Sequence, residues 1–223
     1  MAKEDIRGHF DGIAADYDRW KEKSSYYYRL LAGIYRQRIP EGSSVLEIGC
    51  GTGTLLASLR PGRGVGLDIS PRMVEIAASK FPRLTFLVGD AESFDLGETF
   101  GFIIVPDVIE HLTDVAAMFR SARRHLSPGG RLVMTSVNPL WAPVLHLAER
   151  LGLKMPEGEH RWLPAADLDA MAEALSFVPT WSGGRILCPK EVPLLARALN
   201  EAAERCAFLR PACLTQVQEY ALH

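Results

Sequence analysis

Along this chain, short continuous apolar runs alternate with stretches whose apolar positions recur every three or four residues. The runs predict strands buried on both faces, and the recurrences predict amphipathic helices. Within 1–39, Phe10, Ile13, Ala14 and Tyr17 recur at helical spacing, as do Tyr27, Leu30, Leu31 and Ile34, until Pro40-Glu41-Gly42 breaks the pattern. Strands are predicted at 45–48, 65–67, 84–88, 102–105 and 131–136. Between them lie a helix opening near Thr54, one over 71–80 with Ser70 as N-cap and Pro71 at the first helical position, and one over 115–126 stopped by Ser127-Pro128-Gly129-Gly130. A helix over 166–175, a strand near 177–182, a helix over 194–205 and a last strand over 214–220 follow. This alternation predicts an α/β fold with a doubly wound, mostly parallel, seven-stranded sheet. Residues 137–166, with four prolines and two tryptophans, interrupt it as an expected insertion near the site.

At 223 residues the chain has room for one large domain, expected to run over 1–223: a helical segment at 1–39, a core at 40–136 and a substrate-side part at 137–223. An apolar fraction of 48% with 23% charged residues suits a globular protein. The net charge of −2 makes nucleic acid an unexpected partner. No apolar run approaches the ~20 residues of a membrane-spanning helix. The opening MAKEDIRGHF has no apolar h-region, so no signal peptide is expected. Cys50, Cys188, Cys206 and Cys213 form no CxxC pair and are read as reduced thiols of a cytoplasmic protein.

The strongest chemical signal is VLEIGCGTGTLL at 45–56, a buried strand running into a glycine-rich turn and then a helix. Gly49, Gly51 and Gly53 let a ligand approach the backbone. The dinucleotide fingerprint needs a further glycine at 54, where Thr54 stands, so a nicotinamide cofactor is disfavoured. Asp68, 19 residues after Gly49, can accept hydrogen bonds from ribose hydroxyls. In GDAESF at 89–94, Asp90 can receive the exocyclic amine of adenine, and Ile69 and Ala91 can wall the ring. Taken singly, the turn could be only a tight connection and Asp68 only a helix cap. Taken together, the three stand in order at the ends of successive strands.

These residues, with FDGIAADYD at 10–18, PDVIEHLTD at 106–114 and LSPGGRLVMT at 126–135, resemble the class I S-adenosylmethionine-dependent methyltransferases. The similarity is to the branch with the small-molecule enzymes of ubiquinone and menaquinone synthesis. It implies a Rossmann-like sheet with an N-terminal helical lid and S-adenosylmethionine as cofactor. By that resemblance Glu47, Gly49, Gly51 and Gly53 surround the methionine part, Asp68 binds the ribose, and Asp90 with Ala91 binds the adenine. Tyr17 belongs to the lid, or else is a buried aromatic of a helix pair.

Asp107, Glu110 and His111, at i, i+3 and i+4, are expected to share one face of a helical turn. His160 lies on a later proline-bounded loop. The four resemble the metal site of ubiquinone-type O-methyltransferases, with Asp107 where Glu is usual. A divalent metal at Asp107, Glu110, His111 and His160 is therefore one expectation. His111 and His160 are expected to handle the acceptor proton, directly or through that metal held with Asp107 and Glu110; for His111 a metal-free base or substrate contact is a second expectation, and a structural role a third. His125, near a helix end, is read as a helix-dipole partner.

Residues 137–163 carry Trp141, Leu145, Leu151, Met155 and Trp162. Later come Arg185, Ile186, Leu187, Lys190, Val192, Leu194 and Leu195. They either line an apolar pocket with a basic edge or complete the core and a lid. The tract at 138–156 and CLTQV at 213–217 resemble bacterial methyltransferases found beside or fused to glycosyltransferases. The expected acceptor is accordingly small or lipid-like, reached with at most peripheral membrane contact, and methylated on oxygen. Metal-independent methylation of carbon or nitrogen, and a catalytically silent cofactor-binding regulator, are the alternatives.

Overall fold

The computed structural model describes residues 3–155 and 161–222. Three helices come first: α1 (Lys3–Ile13), α2 (Tyr17–Lys23) and α3 (Ser25–Arg36). Then β1 (Ser44–Ile48), α4 (Thr54–Ser58), β2 (Arg63–Asp68), α5 (Pro71–Lys80), β3 (Thr85–Val88), β4 (Phe100–Pro106), α6 (Val115–His125) and β5 (Leu126–Val137) alternate. The C-terminal part holds α7 (Ala142–Arg150), α8 (Ala165–Ala174), β6 (Phe177–Arg185), α9 (Leu195–Arg205) and β7 (Thr215–Leu222).

All seven strands join one sheet in the order β3-β2-β1-β4-β5-β7-β6. β7 alone runs antiparallel to its neighbours β5 and β6. The central strands are apolar on both faces because both are covered: Leu46 and Ile48 face the α6 and α8 side, Val45 and Ile104 the α3, α4 and α5 side. Phe119, Phe177 and Tyr220 pack ring against ring beneath α8. The strand order reverses between β1 and β4, and the crevice beyond the carboxyl ends of these strands is where ligands settle in such sheets.

Local chemistry sets the helix starts as predicted for α5, where Ser70 Oγ accepts from the Met73 amide and Pro71 needs no partner. For α6, Asp114 accepts from the Ala117 amide. Two expectations change. β5 begins at Leu126 rather than 131, because Leu126 pairs with Phe100 and, after a register shift, Arg131 pairs with Phe102. His125 is no charged dipole partner: its Nε2 accepts from the Leu96 amide at 2.9 Å, so Nδ1 carries the proton and donates to the Ser121 carbonyl at 2.8 Å. The interruption after β5 contains a helix of its own, α7, none of whose residues is buried. Asn138 pins its start by donating to the Pro211 and Cys213 carbonyls. Among the described residues no helix is long and apolar enough to cross a membrane.

Candidate active site

The turn after β1 is shaped by what surrounds it. Gly49 and Cys50 both donate their amides to the Leu67 carbonyl, at 2.7 and 3.0 Å, which folds the chain sharply off the strand. Gly49 has φ +73°, and a Cβ there would sit 2.2 Å from Val108 Cγ2. Gly53 has φ +77°, and its Cβ would strike the Phe86 ring. Both positions thus require glycine for conformation and for room. Gly51, between them, faces the Tyr17 ring.

Asp68 ends β2 almost buried. Its Oδ2 accepts from the Gly51 amide at 2.7 Å and its Oδ1 from the Ser70 amide at 2.9 Å. Burial pushes its carboxyl above the usual range, while these two amides pull it back. Each oxygen keeps a second lone pair, so the carboxylate shapes the glycine turn and can still accept from a diol. Asp90 accepts from the Glu92 amide at 2.9 Å and from Lys3 Nζ at 2.6 Å. Lys3 also pairs with Glu92 at 2.6 Å. Ile69 and Ala91 line the same cavity.

Glu47 is the most perturbed carboxyl of this end. It is buried, accepts from the Leu56 amide at 2.9 Å, and burial pushes it up to about 8. The nearby Lys21 charge opposes that rise. Lys21 Nζ lies 4.5 Å from the centre of the Tyr17 ring and 4.8 Å from that of Tyr28. Sequence reasoning missed Lys3 and Lys21. Their only signal was a basic residue within helices assigned to a lid.

The acceptor side departs further from expectation. Asp107, Glu110 and His111 do not share a helical face: only Ile109–His111 form a 3₁₀ turn, and Asp107 stands before it with φ +53°. That left-handed backbone turns the Asp107 carboxylate back to the sheet. Oδ2 accepts from the Tyr27 hydroxyl at 2.6 Å and Oδ1 from the Thr135 hydroxyl at 2.7 Å. Tyr35 in turn donates to Thr135. Glu110 Oε1 accepts from the Val137 amide at 2.5 Å, closing the end of β5. His111 meets the Phe10 ring edge to face, 5.2 Å between centres. His160 lies outside the described residues. Among the described residues no group of three His, Cys, Asp or Glu side chains is placed to hold a metal ion. An Asp107 carboxylate already taken by two hydroxyl donors is a poor fit to the expected ligand set.

One cavity of about 920 Å³ runs from Asp68 and Asp90 to Trp141, Leu145 and Trp162. Its volume falls near the top of the range of ~300–1,000 Å³ for small-molecule sites. Met155 and Lys190 also line it, in keeping with the pocket reading of these segments. Leu151, Val192, Leu194 and Leu195 instead point to solvent, and Arg185 stacks on Trp181.

A seven-stranded sheet in this order, with a glycine turn after β1 and acidic residues after β2 and β3, defines a class I S-adenosylmethionine-dependent methyltransferase. The chain belongs to the methyltransferase-domain family, whose model matches residues 20–179. It is 35% identical over 116 residues to a dTDP-4-amino-2,3,4,6-tetradeoxy-D-glucose N,N-dimethyltransferase of Saccharopolyspora spinosa, covering 49% of this chain and 45% of that protein. It is 31% identical over 162 residues to a ubiquinone biosynthesis O-methyltransferase of Azorhizobium caulinodans, covering 67% of this chain and 64% of that protein. The chain therefore spans less than two thirds of the length of these curated relatives. Among solved structures, a methyltransferase of Thermotoga maritima described as a possible histamine N-methyltransferase shares the fold. Its TM-score is 0.74 at 21% identity, over 97% of this chain and 99% of that one.

Proposed function

We propose that the protein transfers a methyl group from S-adenosylmethionine to an oxygen of a small or lipid-like acceptor, without a metal ion. The observation that carries this reading is the single cavity joining Asp68 and Asp90 to the aromatic chamber under α7. Ile69 and Ala91 would wall the adenine, Asp90 would accept from its amine, and Asp68 would accept from the ribose hydroxyls. Gly49, Gly51, Gly53 and Tyr17 would hold the methionine end, and Glu47 would receive its ammonium. Methyl transfer from a sulfonium is an in-line displacement. When bound, the cofactor would supply the methyl group to an acceptor oxygen and leave as the thioether, with the electron pair of the broken carbon–sulfur bond. The chain's part is to align the partners in a dry site and to take the acceptor proton. His111, packed against Phe10 of the lid, is the proposed base. Asp107 is assigned to holding Tyr27 and Thr135 rather than to a metal.

A second reading, methylation of an amine, is favoured by the likeness to the amino-sugar N,N-dimethyltransferase. One experiment separates the two. The purified protein is incubated with methyl-labelled cofactor and a panel of phenols with and without a polyprenyl tail, amino sugars and a short RNA, each with and without chelator. Label recovered as a methyl ether, unaffected by chelator, is the expected result. Label on nitrogen establishes the second reading. Tight cofactor binding with no transfer to any acceptor points to a silent regulator.

A further inference from the structure

Away from the cavity, three arginines meet on one tryptophan. Arg38 follows α3, Arg185 ends β6, and Arg210 lies between α9 and β7. The Arg38 and Arg185 guanidinium carbons stand 4.9 and 4.3 Å from the centre of the Trp181 ring. A Cβ on Gly183 would lie 3.0 Å from that ring and 3.6 Å from Arg210 Cδ, so Arg210 borders the same spot. None of these four residues lines the cofactor cavity. An aromatic face positions cations without cancelling their charge.

The carboxylates around this cluster are too few. Glu219 accepts from Arg131, and Arg38 Nε stays 3.6 Å from it. Among the described residues, Arg185 and Arg210 meet carbonyls instead: that of Gly184 at 3.2 Å and that of Glu204 at 3.3 Å. The Glu204 side chain acts on Arg38 and Arg185 from an exposed position. Arg38 Nε and Arg210 Nε are buried with no hydrogen-bond acceptor among the described residues. A buried donor left bare is costly, the more so on a charged group. Burial lowers the Arg185 guanidinium from its usual value, and the neighbouring Arg38 and Arg210 charges lower it further. An anion would supply both the absent acceptors and the absent charge. A carboxylate offers two oxygens to three guanidinium forks, whereas a phosphoryl group offers at least three. We propose that Arg38, Arg185 and Arg210 form a binding site for a phosphoryl group, separate from the methyl-transfer cavity. Once occupied, this site ties the end of α3 to β6 and to the segment before β7, and it stands independently of the cofactor reading.

The test titrates inorganic phosphate, pyrophosphate, uridine diphosphate and acetate calorimetrically, at constant ionic strength and without cofactor. The proteins are the wild type, Arg185→Gln, Arg185→Lys, Arg210→Gln and, as a charge control, Arg60→Gln, which removes an exposed arginine paired with Glu41. Tm is recorded for each, and Arg185→Lys and Arg210→Gln carry the comparison should Arg185→Gln not fold. The wild type is expected to bind pyrophosphate and to ignore acetate. Arg185→Gln and Arg210→Gln should each weaken pyrophosphate about tenfold or more, the size of a hydrogen bond to a charged group, and Arg60→Gln should stay within about twofold. Arg185→Lys keeps the charge without the fork and should lose less. Uridine diphosphate binding tighter than pyrophosphate, and lost in the same variants, makes a nucleotide the source of the phosphoryl group; the reverse order makes it free phosphate or pyrophosphate. No binding of any of the three phosphates, acetate binding as well as they do, or an equal loss in Arg60→Gln overturns the proposal.

Discussion

The Lys3 ammonium donates to Asp90 Oδ2 across 2.6 Å, tying the first turn of the N-terminal helix to the carboxylate proposed to receive the adenine amine. The same helix reaches His111 through Phe10. α1 is therefore a strap across both ends of the site. Because the pair is partly exposed, screening limits its worth to about 1 kcal/mol or less. Lys3→Ala should speed release of S-adenosylhomocysteine a few-fold, read by rapid displacement, while Tm stays nearly unchanged. Slower release in the variant would mean that Lys3 competes with the ligand instead of holding the lid.

Glu47 links ligand binding to pH. Burial raises its carboxyl to about 8, so in the empty site it is protonated at neutral pH. Pairing with the ligand's ammonium requires the ionised form. Binding of S-adenosylhomocysteine below about pH 8 should release a proton, and affinity should rise as pH rises toward that value. Calorimetry in buffers of different ionisation enthalpy measures the proton count directly. A count of zero at pH 7 contradicts the pairing.

The same group affects stability with a defined sign. Its folded value lies above its unfolded value of about 4.5, so its contribution is fully present below about 4.5 and is lost as pH rises through about 8. Glu47→Gln removes that dependence and keeps an acceptor for the Leu56 amide. The variant should be more stable than wild type above pH 8, by at most a few kcal/mol, while binding cofactor more weakly. A Tm difference that does not grow between pH 5 and 9 is the contrary result.

The two glycines of the turn should fail differently. Gly49→Ala meets Val108 at 2.2 Å with φ +73°, so it should lower stability by roughly 2–4 kcal/mol through clash and backbone strain. Gly51→Ala shares the strain of a positive φ, +50°, but its Cβ meets the edge of Tyr17 at 3.1 Å rather than the Val108 branch at 2.2 Å. It should fold with a smaller loss but bind S-adenosylhomocysteine poorly, because Tyr17 must move. Thermal melts and ligand titration of both variants check this ordering, and equal melts would contradict it.

The Asp107 network yields a test of the metal question. With both carboxylate oxygens held by Tyr27 and Thr135, chelator should leave turnover and Tm unchanged. Thr135→Val should lower stability by about 1–3 kcal/mol, since Asp107 and the buried Tyr35 hydroxyl both lose a partner. Activity lost to chelator and restored by a divalent ion would overturn the metal-independent reading.

How much of this was legible beforehand follows from how local each determinant is. The strand runs and the Ser70-Pro71 helix start are set by neighbouring residues, and the structure places them close to where the pattern predicts. The Asp68 and Asp90 positions follow because Asp68 ends β2 and Asp90 comes two residues after β3. The shared helical face expected for Asp107 does not form, because its geometry depends on one left-handed backbone angle and on Tyr27, 80 residues away. Helical spacing cannot carry that information. Lys3 and Lys21 were missed for a related reason: only tertiary folding brings the N-terminal helices over the cavity. Apolarity alone places Leu194 and Leu195 in either a pocket or the core and a lid, yet both face solvent.

The central claim is that Asp68, held by the Gly51 and Ser70 amides, anchors an S-adenosylmethionine-type ligand. Calorimetric titration of S-adenosylhomocysteine and NAD into the wild-type protein and Asp68→Ala tests it most directly. S-adenosylhomocysteine should bind the wild type and lose about 1.5–3 kcal/mol in the variant, the range for hydrogen bonds to a charged group, while NAD binds neither. Tight NAD binding, or unchanged S-adenosylhomocysteine affinity in Asp68→Ala, would contradict the account.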